Sequence, residues 1–553
     1  MTNSFDHVFD LVIVGSGAGS MPAALIARRA GKSVLVIEKA EQIGGSTAMS
    51  GGVMWIPNSS VMNRAGHPDS YEGAKTYFDA CIGETTLRGA SPARRHTYLS
   101  EGPRAVEFLE GLGMEFYFPA GYSDYYEGER PGGLKSGRAI VTPPYDARRL
   151  GDWSKKLRRH YPIPARMDEL PPLLRGMRSV ASFVAAAKVG FRMLRNRLGA
   201  DLVGSGTALF GRMLEIGLRE GVTIWLDSPV TGLIEQDGRI AGITARHEGV
   251  EVRIGATHGV LLDAGGFSRN AAMRAQHHTP GTASGEWTHA NPGDTGEVMN
   301  MATALGAATE SLDHAVWVST AVLPDGRVEM VTPDLQKPHV VMVDSQGERY
   351  VNEATDYVCV GRTMIAHDAK GGSIPSWAII ESRARNRYFW AGNPPGEPPA
   401  AWIESGYMIK ADSLDELAQR CGLDPERLKA TITRFNGFAR KGVDDDFGRG
   451  GSAFHSFFGD PANKPSATLG PIEQPPFYAS KVFPGDVGTF GGLVTDEHAR
   501  VLKEDGSIIP GLYAAGNITS SVMGMAYPGA GASIGPSFVF GYVAARHALG
   551  ANA

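Results

Sequence analysis

The chain has 553 residues, of which 42% are hydrophobic and 20% are charged, and its formal net charge is −5 at pH 7. This composition is typical of a globular enzyme and excludes a disordered or fibrous chain. The length exceeds what one hydrophobic core normally supports, so two domains are expected, and the slightly acidic charge favours no nucleic-acid partner.

The cysteines and the N-terminus indicate a cytoplasmic protein. Cys81, Cys359 and Cys421 lie far apart and form neither a disulfide framework nor a metal-ligand pattern, so no metal is expected. Residues 1–10 are polar and lead directly into an apolar run, without the charged leader and hydrophobic region of a signal peptide. No run of about 18 apolar residues predicts a membrane span.

The first apolar segments predict a dinucleotide-binding unit. Residues 9–14 are a buried strand, residues 21–30 a helix and residues 34–37 the next strand, which is the order of a βαβ unit. Glycines in its first turn allow the backbone to approach a pyrophosphate at the start of a helix. The residues predicted to make these contacts are Gly15, Gly17, Ala18, Gly19 and Ser20.

Several later segments indicate that this dinucleotide is FAD. Glu38 ends the second strand, where a carboxylate accepts hydrogen bonds from an adenine ribose. Glycine-rich residues 44–52, predicted to be a loop, and residues 511–517 favour a long flavin over a nicotinamide, because a flavin needs contacts from remote segments. The absence of histidine from residues 44–52 predicts noncovalent binding. The predicted FAD contacts beyond the first turn are Glu38, Lys39, Gly45, Ser46, Thr47, Gly51, Gly52, Val230, Ala264, Gly265, Gly516, Asn517, Gly531, Ala532 and Ile534.

The predicted fold class is α/β, with a Rossmann-like FAD-binding domain and an inserted α+β substrate domain. Strand-like runs at residues 221–230 and 259–266 extend the first domain. The pattern then changes to long polar and proline-rich linkers before the chain returns to the first domain near Gly488. The expected boundaries are 1–313 and 485–553 for the FAD-binding domain and 314–484 for the insert.

A second, smaller insert at about residues 155–200 is strongly basic. Between Lys155 and Arg197 there are eleven lysines and arginines against Asp168 and Glu169, a local balance of +9. Two interpretations stay open: contact with the inner face of an anionic membrane through about residues 170–198, or packing as a lid or subunit contact. The apolar residues predicted to share one helical face are Leu173, Met177, Val180, Val184, Ala187, Phe191, Leu194 and Leu198.

Further motifs are spread over almost the whole chain. Besides residues 44–52, they are residues 350–353 with Tyr357, residues 488–492, and residues 522–531. With them the chain resembles the flavoprotein superfamily of fumarate reductase and succinate dehydrogenase. Within that superfamily it most resembles the 3-ketosteroid Δ1-dehydrogenases.

This resemblance implies a reaction and a set of catalytic residues. The Tyr527 hydroxyl and the Gly531 N–H would polarise the C3 ketone of a 3-ketosteroid, and Tyr357 would remove the proton at C2. Tyr125 would assist Tyr357, although Tyr122 and Tyr126 compete for that role. Hydride would leave C1 for the flavin N5, and the electrons would pass to a quinone-like acceptor.

The chemistry explains why such residues are needed. A C–H beside a ketone becomes acidic only when donors stabilise the developing enolate. A tyrosine, with an ordinary pKa of about 10, acts as a base only if a neighbour favours tyrosinate. A second tyrosine that donates a hydrogen bond is expected to do so.

Three alternatives remain. A fumarate-reductase-like alkene reductase needs cationic clamps for two carboxylates, and residues 516–534 contain no Arg, Lys or His. A 3-ketosteroid 4,5-dehydrogenase would arrange its tyrosines differently. A non-catalytic flavoprotein or sterol-binding module would have no need of both Tyr357 and Tyr527.

Overall fold

A computed structural model describes residues 4–175, 179–278 and 280–550. The strands are β1 (His7–Val14), β2 (Val34–Ile37), β3 (Met54–Trp55), β4 (Ala139–Ile140), β5 (Tyr145–Asp146), β6 (Leu202–Val203), β7 (Thr223–Trp225), β8 (Val230–Gln236), β9 (Arg239–His247), β10 (Val250–Leu262), β11 (Thr309–Glu310), β12 (Ala315–Val322), β13 (Val328–Met330), β14 (Val340–Val343), β15 (Ser376–Glu381), β16 (Met408–Ala411), β17 (Phe477–Thr489), β18 (Gly492–Leu493), β19 (Arg500–Leu502) and β20 (Ile508–Ala514).

The helices are α1 (Ser20–Arg29), α2 (Gly45–Met49), α3 (Ser60–Arg64), α4 (Tyr71–Ile82), α5 (Pro92–Gly111), α6 (Leu170–Leu174), α7 (Val180–Arg197), α8 (Ser205–Arg219), α9 (Ala271–His277), α10 (Glu297–Ala304), α11 (Thr332–Leu335), α12 (Tyr357–Asp368), α13 (Ser382–Arg387), α14 (Ala400–Glu404), α15 (Leu414–Cys421), α16 (Pro425–Lys441), α17 (Ala453–Phe457) and α18 (Ile534–Ala548). Short 3-10 helices lie at Arg88–Ala90, Ala147–Lys155, Met167–Glu169, Pro280–Thr282 and Gly516–Ile518.

The first sheet carries the nucleotide-binding turn. Its strand order is β19-β20-β10-β1-β2-β7, and outside this order β9 pairs with β10 and β8 pairs with β9. The pairs β1–β2, β1–β10, β10–β20 and β2–β7 are parallel, so several strands end at the same edge of the sheet. Val14, at the end of β1, is in register with Ile37 and Leu262. This common edge is where ligands bind in parallel α/β sheets.

The helices on this sheet are buried because their sequences are apolar. The first eight residues of α1 are all buried, and α1 packs between the sheet and the C-terminal helix α18. Helix α18 is buried over eleven consecutive positions from Gly535 to Ala545. The C-terminal helix α18 therefore packs against α1, the helix that follows the nucleotide-binding turn.

The second sheet is antiparallel. Its strand order is β13-β12-β17-β15-β14, with β16 also paired to β17. The 13-residue strand β17 lies at the centre and pairs with β12 on one side and with β15 and β16 on the other. The predicted α/β class, with a Rossmann-like part and an inserted α+β part, is confirmed.

Three local predictions differ from the structure. Residues 44–52, predicted to be a loop, contain helix α2, which packs on α8. The predicted boundary at residue 484 falls inside β17. The single amphipathic helix predicted from Leu173 to Leu198 is instead two helices, α6 and α7, and α7 is capped anew when the Ser179 hydroxyl accepts a hydrogen bond from Ser182 N–H at 3.1 Å. Met177, assigned to the same apolar face, lies outside the described residues.

Within the described ranges, no helix combines the length and the apolar character needed to cross a membrane.

Candidate active site

A deep cavity connects the nucleotide-binding turn to the predicted catalytic tyrosines. Its volume is about 1240 Å³. Among the predicted cofactor contacts, those that do not line the cavity are Gly19, Ser20, Gly52 and Ala532. The predicted catalytic residues that line it are Tyr125, Tyr357, Tyr527 and Gly531.

The nucleotide end of the cavity is lined by backbone. We call the glycines at this end, Gly15, Gly17, Gly45, Gly265 and Gly516, the cofactor cradle. Gly15 has a φ of +95°, and a Cβ atom there would lie 2.4 Å from the Asp263 carbonyl oxygen. Only glycine fits this turn, which leaves the backbone open toward the cavity.

Of the four predicted contacts outside the cavity, Gly19 and Ser20 support the cradle through hydrogen bonds. The Gly19 N–H donates to the Ser537 hydroxyl at 3.0 Å, which ties the turn to α18. The Ser20 hydroxyl closes the turn by donating to the Gly17 carbonyl at 2.8 Å. Gly52 lies against the backbone of Ser205, and Ala532 is fully buried.

Glu38 lies at the end of β2, as predicted, but it is also bonded to the turn. One carboxylate oxygen accepts hydrogen bonds from the Ser16 N–H at 3.1 Å and the Ser16 hydroxyl at 2.6 Å. The Ser16 hydroxyl in turn accepts from the Gly44 N–H at 2.9 Å. Ser16 therefore connects the turn, Glu38 and the start of α2, a role that the sequence motif did not reveal.

Two acidic residues that the sequence interpretation missed hold predicted cofactor contacts. The Lys39 ammonium bonds to the Thr295 hydroxyl at 2.7 Å and to Glu297 at 3.1 Å. The Ser46 hydroxyl donates to Asp294 at 3.2 Å. Burial raises the pKa of Asp294 to about 7.

A third acidic residue, Asp263, lies within the cradle itself. It directly follows β10, lines the cavity and is 4% exposed. One oxygen accepts a hydrogen bond from the Ser537 hydroxyl at 3.1 Å, and burial raises the pKa of the carboxyl to about 8. A neutral carboxyl is compatible with a pyrophosphate beside it, whereas a carboxylate would repel it.

These residues fit a flavin dinucleotide. The cradle would hold the pyrophosphate at the N-terminus of α1, and Glu38 would hold the ribose. The N-terminus of α2, at Gly45, Ser46 and Thr47, faces the same cavity, as do Val230, Ala264, Asn517 and Ile534.

At the other end of the cavity, three tyrosines from distant segments form what we call the tyrosine cluster: Tyr125, Tyr357 and Tyr527. The Tyr125 and Tyr357 hydroxyl oxygens are 3.4 Å apart. The ring centroids of Tyr357 and Tyr527 are 5.1 Å apart, and those of Tyr125 and Tyr527 are 5.8 Å apart. The structure brings together the three residues named from widely separated motifs.

The two competing tyrosines lie differently. The Tyr122 ring packs on Phe457 with centroids 4.2 Å apart. The Tyr126 hydroxyl accepts a hydrogen bond from the Tyr527 N–H at 3.5 Å and does not line the cavity. Of the three, Tyr125 is the one whose hydroxyl bonds to Tyr357.

Burial determines the protonation of the tyrosine cluster in the chain alone. Burial raises the pKa of Tyr357 well above its usual value near 10, and the neighbouring Tyr125 and Tyr527 raise it further. Tyr125 therefore does not lower the pKa of Tyr357 in the chain alone. The physical reason is that the phenols are buried together, so that a charge on one is poorly solvated.

Tyr527 and Gly531 face the cavity with donors. The Tyr527 and Ser533 hydroxyl oxygens are 3.2 Å apart, and Ser533, which the sequence interpretation missed, also lines the cavity. Gly531 has a φ of +88°, and a Cβ atom there would lie 2.2 Å from the Val53 carbonyl oxygen. Across the described parts of the chain, the Gly531 N–H donates no hydrogen bond.

Helix α6 lines the cavity, and helix α7 packs on α6. Leu170 and Leu174 of α6 line the cavity, together with Tyr161 and Ile163 just before them. Helix α7 packs on α6 through its small residues and leaves its apolar residues in solvent. The predicted apolar face thus exists on α7, but it points outward.

Comparison with known proteins identifies the family. The FAD binding domain family matches residues 10–534. The 3-oxosteroid 1-dehydrogenase of Mycolicibacterium smegmatis is 42% identical over 557 residues, covering 97% of this chain and 96% of that protein. The chain belongs to the 3-oxosteroid 1-dehydrogenase family of FAD-binding flavoproteins.

Two further proteins are similar to this chain. The crystal structure of the 3-ketosteroid Δ1-dehydrogenase of Sterolibacterium denitrificans, in complex with 1,4-androstadiene-3,17-dione, matches with a TM-score of 0.93 and 34% identity, covering 98% of this chain and 100% of that one. The 4-oxocyclohex-2-ene-1-carboxylate 5-dehydrogenase of Sinomonas cyclohexanicum is 35% identical, covering 97% of this chain and 93% of that protein.

Proposed function

We propose that this protein catalyses the FAD-dependent 1,2-dehydrogenation of 3-ketosteroids. The observation that carries the proposal is the meeting of Tyr125, Tyr357 and Tyr527 in a cavity that also contains the cofactor cradle. Family membership supports the same reaction. A 3-keto-4-ene steroid would be converted to the 1,4-diene.

The ketone would be held by two donors on neighbouring stretches of chain. Tyr527 and Gly531 both line the cavity, and within the described ranges the Gly531 N–H donates no hydrogen bond. Donors placed at the oxygen stabilise the enolate that forms when the C2 proton leaves. Removing one such donor typically costs about 2.7–4 kcal/mol of barrier.

The base would be Tyr357. It begins α12, so its backbone is fixed by a buried helix start, and its hydroxyl lies 3.4 Å from that of Tyr125. Tyr357 would act in its tyrosinate form, with its phenolic proton released to solvent beforehand and its oxygen accepting a hydrogen bond from the Tyr125 hydroxyl. The C2–H bond would then break and its proton would go to the Tyr357 oxygen. When bound, FAD supplies the two-electron acceptor for the C1 hydride, and the C1–C2 double bond completes the balance.

The substrate end of the cavity favours a large apolar ring system over a small acid. The residues that line it beyond the tyrosines are mostly apolar: Met167, Leu170, Leu174, Val318, Met330, Pro333, Phe389, Phe454 and Phe458. A cyclohexenone carboxylate, the substrate class named for the Sinomonas relative, would need a cation for its carboxylate, and Arg158 also lines the cavity. A steroid would instead gain from burying its apolar surface.

The deciding experiment is anaerobic reduction of the purified FAD protein by a 3-keto-4-ene steroid. Loss of the oxidised flavin absorbance with formation of the 1,4-diene is expected, and Tyr527→Phe should slow it sharply while FAD stays bound. The same assay with 4-oxocyclohexanecarboxylate and with fumarate-driven reoxidation of reduced protein tests the alternatives. Reaction with either in place of the steroid would refute the proposal.

We further propose that α7 contacts an anionic membrane and that the steroid enters the cavity from there. The side chains of Val180, Phe183, Phe191, Leu194 and Leu198 are 50–80% exposed. The opposite side of the helix is buried at Ser182, Ala185 and Val189. A helix that buries its small residues and exposes its large apolar ones is suited to the lipid interface.

Charge supports a membrane as the partner. Lys188, Arg195 and Arg197 flank the apolar face in exposed positions, and within the described ranges no ion pair involves them. Arg192, by contrast, is paired with Glu169, the residue that precedes α6. Unpaired cations beside an exposed apolar stripe attract anionic lipid headgroups.

The electron acceptor we propose is a lipid-soluble quinone. The support is the same face of α7, since an acceptor dissolved in the bilayer would meet the enzyme at the surface where the steroid enters. Rapid reoxidation of steroid-reduced enzyme by a short-chain quinone, but slow reoxidation by oxygen, is the expected result. Equal rates would contradict the proposal.

Vesicle sedimentation tests the membrane contact. The protein should sediment with vesicles of phosphatidylglycerol and phosphatidylcholine and much less with pure phosphatidylcholine. Phe191→Asp should abolish sedimentation, whereas Val443→Asp, at a half-exposed apolar site elsewhere, should not. If the protein is instead a dimer in solution that Phe191→Asp dissociates, without any vesicle binding, the face is a subunit contact.

A further inference from the structure

The Tyr77 hydroxyl joins two of the loops that carry the tyrosine cluster. It donates a hydrogen bond to the Pro528 carbonyl at 2.6 Å and accepts one from the Tyr126 N–H at 3.1 Å. The Tyr125 N–H donates to the same Pro528 carbonyl at 3.0 Å. One buried hydroxyl therefore lies between the residue after Tyr125 and the residue after Tyr527.

Tyr77 is itself held in place from several sides. It lies on α4 with no exposed surface and does not line the cavity. The Arg138 guanidinium lies over its ring at 5.2 Å, and the Trp55 ring is 6.1 Å away. Because its side chain has so little freedom, Tyr77 fixes the Pro528 carbonyl and the Tyr126 N–H relative to α4.

The neighbours of Tyr77 fix the Tyr125 loop a second time. Arg138 forms buried ion pairs with Asp69 and with Asp124, the residue before Tyr125. The Trp55 indole N–H donates to the same Asp124 at 2.9 Å. Asp124 anchors its own loop, whereas the Tyr77 hydroxyl bonds to both this loop and the loop carrying Tyr527.

We propose that Tyr77 is a positioning residue that sets the separation of Tyr125 from Tyr527. This inference rests on the proposed function, because it assigns Tyr77 a role in the same reaction. Without the hydroxyl, the Tyr126 N–H would be left without its buried partner and the Pro528 carbonyl would keep one donor instead of two. The Tyr125 N–H to Pro528 bond and the Tyr527 N–H to Tyr126 bond would still join the two loops, but their separation would be less tightly fixed while the cofactor cradle stays intact.

Tyr77→Phe tests the proposal, because it removes only the hydroxyl and keeps the packed ring. The kcat for the steroid should fall by about tenfold to a hundredfold, as expected for a small misplacement of catalytic groups, while KM and FAD content change less than about twofold. Tyr513→Phe is the matched control: Tyr513 is also buried, its hydroxyl is 3.0 Å from the His547 ring nitrogen, and it lies outside the cavity. Its kcat should stay at the wild-type value.

A double-mutant cycle separates positioning from general loosening of the fold. If Tyr77 acts through the cluster, adding Tyr77→Phe to Tyr125→Phe should cost at least about threefold less than adding it to the wild type. Fully multiplicative losses would overturn the proposal. So would a Tyr77→Phe enzyme with wild-type kcat.

Two further outcomes keep the test decisive. If the wild-type protein itself fails to oxidise a 3-ketosteroid, the proposed function has failed, which is distinct from failure of the Tyr77 assignment alone. If Tyr77→Phe does not retain FAD, 3-fluorotyrosine at position 77 replaces it, since its hydroxyl is a weaker acceptor for the Tyr126 N–H. A lowered kcat with unchanged KM then supports the proposal, and an unchanged kcat overturns it.

Discussion

The cofactor cradle and the tyrosine cluster line the same cavity but use different parts of the chain. The cradle is made of backbone, and four of its five glycines, all except Gly45, lie where an added Cβ atom would come within 2.8 Å of a neighbouring atom. The cluster is made of side-chain hydroxyls from three distant segments, and its contacts are 3–6 Å between oxygens or rings. The cofactor cradle should therefore lose FAD binding when an atom is added. The tyrosine cluster should lose catalytic rate when a hydroxyl oxygen is removed.

Adding an atom to the cradle should have the largest effect. Gly15→Ala places a Cβ atom 2.4 Å from a backbone oxygen at a φ of +95°. Strain at such a position costs about 1–3 kcal/mol before any overlap is counted, so we expect protein that is purified without bound flavin. The absorbance of the purified protein gives the flavin content of Gly15→Ala, and titration with FAD gives its affinity for the cofactor.

The matched control is Gly111→Ala, at the end of α5, where a Cβ atom would meet nothing within 4 Å. That variant should bind FAD like the wild type. Normal flavin content in Gly15→Ala would show that the turn can relax and that the cradle is not fixed by backbone contact.

Removing an atom from the cluster should leave flavin bound and slow the reaction. Tyr357→Phe deletes the proposed base, and general bases typically contribute about 10²–10⁴-fold to rate. Tyr125→Phe should cost less, because its oxygen is 3.4 Å from that of Tyr357, long for a hydrogen bond between hydroxyls. Stopped-flow reduction of the flavin by steroid gives both rates.

The order of these two losses is the informative part. A larger loss in Tyr125→Phe than in Tyr357→Phe would exchange the roles assigned to the two residues. Loss of flavin from either variant would mean that cluster and cradle are not independent.

Asp263 allows the cradle to be tested by pH. Burial raises the pKa of its carboxyl to about 8, so the folded protein keeps a proton that the unfolded chain releases near pH 4. The unfolded state gains from that ionisation as the pH rises, at about 1.36 kcal/mol per unit. Asp263→Asn, which is neutral at every pH, should therefore be increasingly more stable than the wild type from pH 5 to about pH 8, with no further change above.

Thermal unfolding of both holoproteins across this range measures the difference. A gap that stays constant with pH would mean that Asp263 is ionised in the folded protein. In that case the carboxylate would need a positively charged partner beside the pyrophosphate, and a neutral Asp263 would not be what makes the cradle compatible with a pyrophosphate.

The sequence was sufficient where local backbone rules decide the structure. The βαβ unit, the turn at Gly15 and the position of Glu38 follow from glycine and strand patterns that act over about forty residues. Helix α2 was missed because glycine composition outweighed the contact with α8, which no local pattern contains.

The sequence was insufficient where distant side chains meet. It named Tyr125, Tyr357 and Tyr527 through a family resemblance, but it could not choose Tyr125 over its neighbours, because that choice depends on which hydroxyl faces α12. Ser16, Asp263 and Ser533 carry no motif of their own. Tyr77 carries no motif either, because its proposed role depends on hydrogen bonds to two backbone groups of other segments.

The smallest effect is expected on α7, where a third kind of surface adjoins the cavity. Phe191 is 63% exposed, so Phe191→Ser should change the free energy of unfolding by less than about 0.5 kcal/mol. Val189→Ser, on the buried side at 4% exposure, should cost about 1–3 kcal/mol, because a hydroxyl replaces packed methyl groups. Denaturant unfolding of the two variants side by side makes the comparison.

A negligible cost in the free energy of unfolding at Phe191 would mean that folding does not require this apolar face, which supports the proposed contact with a membrane. An equal cost at both positions would mean that the face is covered in solution, and the membrane proposal would give way to a contact between two copies of the chain.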